Sequence, residues 1–199
     1  MPDSNSSTSQ RLSGRPQSID PDGVARIALE LFDQHGYAQV SMAQIAEASG
    51  IGRKSLYRYF SSKADLVWGG ALEAISVSEA ALNTGRQTGL GLIESLHKAT
   101  LAALQSLPDL EVARGRLRLI AEQPELLSQA SLRMSPDRER TTRFFMEHGV
   151  NEEQAEYLTI AFGAVLFTAC VRWAQSTQPD PAPFLANAVQ VLQTPQGLD

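Results

Sequence analysis

An all-α fold in two parts, an N-terminal unit of three short helices and a longer helical domain behind it, is predicted by three features of the 199-residue sequence. Apolar residues recur at three- and four-residue spacings along most of the chain, and no stretch shows the alternation of a half-buried strand. Glycine and proline fall at the ends of these periodic stretches and set their lengths. Charge is uneven: the chain carries −5 overall, yet Ile51–Lys63 holds four basic residues and no acidic one. Met1–Lys63 comes to +1 and the remainder to −6, which suits a small anion-facing element on an acidic body.

Residues 1–18 are rich in Ser, Thr, Gln and Pro and lack apolar periodicity, so they are predicted to form a flexible arm. The first helix has full start and stop signals. Asp20 can cap it, Pro21 fits its first position, Val24, Ile27, Ala28, Leu31 and Phe32 share a face, and Gly36 ends it. A second, two-turn helix starts at Ser41, with Gln44 at capping-box spacing, and stops at Gly50. A third covers about Arg53 to Phe60. A fourth begins at Ser62, with Asp65 again at capping-box spacing, and its apolar side (Leu66, Val67, Ala71, Leu72, Ile75) predicts a long helix running past Gly69 and Gly70.

Further helices are predicted over Leu92–Leu107, closed by Pro108, and Leu110–Glu122, closed by Pro124. Another runs from Glu125 to about Ser131, is interrupted near Pro136, and resumes over Asp137–His148. The last two are Asn151 to about Gln175 and Pro183–Leu192. The organisation expected is an arm over 1–18, a three-helix unit over 19–65 and a larger helical domain over 66–194.

Composition narrows the function. With 43% hydrophobic and 20% charged residues the chain is in the range of folded domains. No uninterrupted apolar run reaches the roughly 18 residues of a membrane span, and the N-terminus lacks the cationic start and apolar core of a secretory signal, so a cytoplasmic protein without a membrane partner is expected. Cys170 is the lone cysteine and reads as a small residue in an apolar helix. His35, His97 and His148 are far apart with no Cys or His at ligand spacing, so neither a metal nor a cofactor is expected. The GxG in Gly89–Glu94 lacks a third glycine and a preceding strand, and no GxSxG or HExxH occurs. The chain therefore reads as a binding protein, not an enzyme.

The binding element is the segment GRKSLYRYFSSK. Leu56 and Phe60, four residues apart, can anchor one side of the third helix while Arg53, Lys54, Arg58 and Lys63 stand around Tyr57 and Tyr59 on the other. An arginine or lysine at such a helix start can meet guanine O6 and N7 in a major groove, and hydroxyls of Ser41, Ser55, Tyr57 and Tyr59, with the Lys63 ammonium, suit phosphate oxygens. Arg15 is either a mobile surface charge or a contact to the minor groove or a phosphate. Tyr37 is expected to pack behind the reading helix.

Residues 15–67, RPQSID through SMAQIAEASGIGRKSLYRYFSSKADLV, resemble the DNA-binding domain of the TetR family: LFDQHGY, SMAQIA, GIGRKSLYRYF and SKADL occur in that order and spacing. The resemblance implies that Arg53, Lys54, Ser55 and Arg58 face bases or the groove wall and that Ser41, Tyr57, Tyr59 and Lys63 hold phosphates. It implies a homodimer on double-stranded operator DNA and a small-molecule effector bound by the C-terminal domain. SKADLVWGG and RLRLIAEQPEL further resemble regulators grouped with the mycofactocin-system regulator, some of which respond to acyl-CoA-like ligands.

In the second domain the helix from Asn151 is apolar nearly all round, which requires burial on more than one side. Its stripe Leu158, Phe162, Leu166, Ala169 and Trp173, with Phe184, Leu185, Ala188, Val189 and Leu192 of the last helix, is expected to form a four-helix seam across a two-fold axis. The surplus of apolar helix faces predicts a largely apolar ligand cavity, with Arg118, Arg133 and Arg172 as candidate anchors for an acidic group. Repression relieved by a small apolar effector is the expected function. A ligand-dependent activator, or a ligand-binding or enzymatic domain with an incidental helix-turn-helix, are the alternatives.

Overall fold

A computed structural model describes residues 19–69 and 89–191, together with 77, 78, 80–82 and 84. Among the described residues all regular structure is helical: α1 (Pro21–His35), α2 (Met42–Ala48), α3 (Arg53–Tyr59), α4 (Lys63–Trp68), α5 (Leu92–Gln105), α6 (Leu110–Glu122), α7 (Pro124–Leu127), α8 (Ala130–Arg133), α9 (Ser135–Glu147), α10 (Glu152–Gln175) and α11 (Ala182–Val191). The arm, Arg15, Leu72, Ile75 and Leu192 lie outside the described residues.

The N-terminal helices start and stop for local reasons. The Asp20 carboxylate accepts from the Asp22 N–H at 3.2 Å, Pro21 follows, and Gly36 takes φ +83° to end α1. Ser41 caps α2 with a complete capping box: its hydroxyl accepts from the Gln44 N–H at 3.3 Å, and Gln44 Oε1 accepts from the Ser41 N–H at 2.8 Å. Gly50, at φ +65°, turns the chain between α2 and α3, a conformation that costs an L-residue with a Cβ about 1–2 kcal/mol. Ser62 caps α4 by accepting from the Asp65 N–H at 3.0 Å, but the Asp65 carboxylate turns away to Ser61 and Arg133, so only half of the expected box forms.

Several boundaries differ from the sequence expectation, and the single helix expected from Glu125 to about Ser131 is divided into α7 and α8. α4 ends at Trp68 because Gly69 adopts ψ 156°, so the predicted helix does not run through Gly69. Pro124 opens α7 instead of only closing α6, and Pro136 sits in the first turn of α9. At an N-terminal turn a proline's missing N–H has no intrahelical partner to lose, so the residue that breaks one helix starts another.

Apolar burial joins the two parts of the chain. Ala28, Phe32, Val40, Ile45, Leu56, Leu66 and Val67 pack in one cluster with Val112 and Ile120 of α6 and Leu126 of α7. Burial of each large side chain there contributes about 1.5–3 kcal/mol. The three-helix unit is thus seated on α6, and its core takes in the first apolar residues of α4. Leu96, Phe144, Phe145, Phe162 and Val189 form a second cluster among α5, α9, α10 and α11, and Ala169, Leu185 and Ala188 a third between α10 and α11.

α10 is long and apolar enough to cross a membrane by length and composition alone. Phe162, Ala169, Trp173 and Ala174 bury against neighbouring helices. Its C-terminal end is received by two arginines of α6. Arg118 donates to the Ala174 carbonyl through Nε at 3.3 Å and Nη2 at 3.1 Å, while Arg114 donates to the Ser176 carbonyl and lies over the Trp173 ring at 5.6 Å. Cations at a helix C-terminus complement its dipole.

Candidate nucleic-acid interface

The exposed face of α3 is built from its buried one. Leu56 is fully buried and Phe60 nearly so, and these two pin the helix onto the α1–α2 core. With that side fixed, Arg53, Lys54, Tyr57, Arg58 and Tyr59 are all exposed and Ser55 is half-buried. Tyr57 is 52% and Tyr59 44% exposed, an unusual use of large aromatics unless they meet a partner. The Arg58 guanidinium lies 5.3 Å from the centre of the Tyr59 ring, which stiffens both side chains on that face. No acidic residue lies between Ile51 and Lys63, so the cations are uncompensated within the segment. The arrangement can present a short basic helix with rigid hydroxyl-bearing rings to a polyanion.

Two residues predicted to touch phosphate already have tasks within the fold. The Ser41 hydroxyl donates to Gln44 Oε1 at 2.8 Å as part of its cap. Lys63 Nζ donates to the Tyr37 carbonyl at 2.6 Å and sits 4.5 Å from the centre of the Tyr37 ring. Its ammonium keeps two further N–H donors. Tyr37 is buried and packs edge-on against Phe32 at 5.0 Å, and its phenol pKa is pushed up to about 12, first by burial and then by the nearby Glu125 carboxylate, which its hydroxyl meets.

Ion pairs fasten this unit to the second domain. Arg26 of α1 pairs with Asp109, the N-cap of α6. Asp22 pairs at 2.9 Å with Arg116, whose side chain is 9% exposed and whose Nε has no partner. Asp65, in the first turn of α4, pairs at 2.6 Å with Arg133 of α8, which Gln129 also holds. The Asp65 carboxyl is held below the ordinary carboxylate value, first by the Ser61 hydroxyl and then by Arg133 and Ser62 against the opposing cost of burial. Sequence reasoning missed Asp22, Asp65 and Arg116. Their contacts lie 68 and 94 residues along the chain, and spacing carries no signal for such pairs.

The predicted ligand-anchoring arginines are not brought together. Arg118 caps α10, Arg133 bridges to Asp65, and Arg172 is exposed on the outer side of α10. The residues predicted for a dimer seam differ in exposure within the single chain. Phe162, Ala169, Trp173, Leu185, Ala188 and Val189 are buried within a single chain, and Leu158, Leu166 and Phe184 are half-buried beside them. An open groove between α10 and α11 shares Ala169, Phe184 and Ala188 with that predicted stripe and adds Val165, Thr168 and Val191, the last 64% exposed. An apolar all-round helix leaves the choice of stripe undetermined by sequence.

Comparison with known proteins agrees with this geometry. Residues 26–67 match the family described as "Bacterial regulatory proteins, tetR family". The chain is 32% identical over 133 residues to the mycofactocin biosynthesis transcriptional regulator MftR of Mycobacterium tuberculosis, an alignment covering 66% of each protein. It is 42% identical over 53 residues to the HTH-type transcriptional repressor ComR of Escherichia coli, covering 27% of this chain and 25% of that one. Among solved structures, FadR of Thermus thermophilus, a TetR-family transcriptional repressor in complex with lauroyl-CoA, superposes with a TM-score of 0.56 at 18% identity over 87% of this chain and 93% of that one, a likeness of fold. With the matched segment being the same α1–α4 unit that presents the basic face of α3, the chain belongs to the TetR family of bacterial regulatory proteins.

Proposed function

We propose that the protein is a cytoplasmic transcription repressor that binds a palindromic operator as a homodimer and releases it when a small, largely apolar effector enters the helical domain. The observation that carries this reading is the face of α3, on which Arg53, Lys54, Arg58 and two tyrosines are exposed with no acidic neighbour in the segment. Arg53 and Lys54 lie in the first turn and enter the major groove. Ser55, Tyr57, Tyr59 and the free donors of Lys63 meet the groove wall and phosphates.

Two such helices about 34 Å apart match successive major grooves on one side of a duplex, and a two-fold dimer supplies them. The apolar groove of α10 and α11 is the self-complementary surface: a second copy covers Val165, Phe184 and Val191, and four helices pack across the axis. Repression follows from occupancy of the operator. Release follows from linkage, since an effector that prefers the conformation with misplaced α3 helices weakens DNA binding by the same coupling free energy.

Thr168 tests the dimer directly because it is exposed in the single chain and lies in the groove. Wild-type protein should sediment as a dimer. Thr168→Arg, which sets a cation beside Arg172 and its symmetry mate, should sediment as a folded monomer and lose operator affinity at least about 100-fold, because one half-site then binds alone. A wild-type monomer, or a dimeric Thr168→Arg variant, contradicts this assignment.

A further inference from the structure

A cavity of 190 Å³ opens between α8, α9 and α10, walled by Met134, Phe162, Gly163 and Phe167 and carrying the hydroxyls of Thr141 and Thr159. We propose that this is the effector site, and that its occupant is a small uncharged molecule of about one ring with a single hydroxyl or carbonyl, not a long-chain acyl thioester. The assignment rests on the reading of the protein as an effector-released regulator and adds the place and chemistry of the effector.

Size sets the first limit. The cavity is smaller than the roughly 300–1,000 Å³ of most drug-sized ligand sites and slightly larger than the about 150 Å³ apolar cavity that accepts benzene. The wall at Gly163 is open by construction: a Cβ there would meet nothing within 4 Å, although the glycine is in the middle of α10 with ordinary helical geometry. A glycine in a helix interior costs about 1 kcal/mol relative to alanine, so the space it leaves is maintained against propensity.

Polarity sets the second. Thr141 and Thr159 are each only 4% exposed. Thr142 donates to the Thr159 hydroxyl oxygen at 3.0 Å, which leaves the Thr159 proton for another acceptor, and Thr141 lines the same space. Buried polar groups are normally paired, and one ligand oxygen can serve both. The charged residue of the lining, Arg138, is exposed and donates to Ser131 Oγ at 3.0 Å, so no buried cation waits for an anion. A charged headgroup set against Phe162, Gly163 and Phe167, away from Arg138, would be desolvated.

The walls also touch the reading unit. Phe167 stacks on Trp68, the last residue of α4, with centroids 6.3 Å apart and planes 16° from parallel. Trp68 Nε1 is buried without a partner, so nothing polar ties that ring in place. Ala130 of the lining shares α8 with Arg133, which bridges to Asp65 at the other end of α4. An occupant that displaces Phe167 or α8 therefore acts on both ends of α4.

The test is calorimetric titration of the intact protein with p-cresol, toluene and lauroyl-CoA as probes, alongside anisotropy of a bound operator. Both small probes should bind saturably and lauroyl-CoA should not compete with them. Gly163→Leu fills the space with a better helix former and should weaken both small probes at least about tenfold while keeping the wild-type circular dichroism spectrum. Thr141→Val keeps the shape and removes the hydroxyl, so it should weaken p-cresol about fivefold to tenfold and leave toluene within about twofold. Absence of saturable binding by either small probe, equal p-cresol affinity in Gly163→Leu, or equal losses of p-cresol and toluene in Thr141→Val would overturn the site as assigned. Lauroyl-CoA competing with p-cresol would overturn the size limit. Binding at the cavity with no release of operator would overturn its assignment as the effector site, whereas a protein that binds no operator at all would contradict the regulator reading.

Discussion

The cations of α3 and α4 divide by what they can reach. Arg53 and Lys54 are exposed at the start of α3, whereas Lys63 is half-buried with one donor on the Tyr37 carbonyl. Arg53→Ala or Lys54→Ala should cost about 1–3 kcal/mol on the operator and relax preference at particular base pairs, with a smaller loss on random DNA. Lys63→Ala should weaken both DNAs together and lower the salt slope by about one unit per phosphate contact removed. Competition binding on the two duplexes reads the difference, and a uniform loss in Arg53→Ala would place that residue on phosphate. Asp65 supplies a different residue-level test. Its carboxyl titrates below the ordinary value of 3.8 in the folded state, so the unfolded chain takes up the proton first as pH falls. Its stabilisation is complete above 3.8, and it is lost as pH drops through the lower folded value. Asp65→Asn removes that contribution. Urea unfolding should show wild type losing more stability than Asp65→Asn between about pH 6 and about pH 2, and equal losses would mean that the Arg133 pair adds nothing to the clamp.

Between elements, α1 and α6 approach closely at Gly115. A Cβ on Gly115 would come 2.9 Å from Leu29 Cδ1, so these helices meet at a separation only glycine permits without movement. Gly115→Leu should cost about 1–3 kcal/mol by overpacking and move α1, while Gly115→Ala should be nearly neutral because the tip of Leu29 can rotate and alanine favours the helix. Thermal unfolding of the two variants checks this, and a leucine variant as stable as wild type would show that α1 slides freely on α6. The elements legible in the sequence were those whose ends are chemically local. Asp20 and Pro21, Ser41 with Gln44, and Gly36 and Gly50 act on backbone within a few residues, and the structure has each of them at the helix end that the sequence predicts. Less was legible where the outcome depends on what packs nearby. Pro124 and Pro136 open helices as readily as they end them, and the Asp65 carboxylate prefers Ser61 and a distant arginine to the cap that its spacing suggests. The exposed side of α3 followed from Leu56 and Phe60. The exposed side of α10 did not follow from its sequence, because every face of that helix is apolar.

At the scale of the molecule, one apolar cluster runs from the three-helix unit into α6 and α7, and among the described residues three ion pairs cross the same junction. The three-helix unit is therefore carried on the second helical domain as a connected body, so that a shift of α6–α8 reaches α3. The account turns on α3 being a DNA-reading surface in a protein whose net charge of −5 opposes indiscriminate binding to a polyanion. Genome-wide mapping of bound DNA supplies the operator, and the decisive measurement is the affinity of the wild-type protein for that duplex and for a scrambled one across about 50–300 mM salt. The expected result is a log–log slope steeper than about −4, from several phosphates contacted by two subunits, with the operator bound at least about 1,000-fold more tightly than the scrambled duplex at physiological salt. A flat salt response, or equal affinity for the two duplexes, would contradict the reading of α3 as an operator-specific helix.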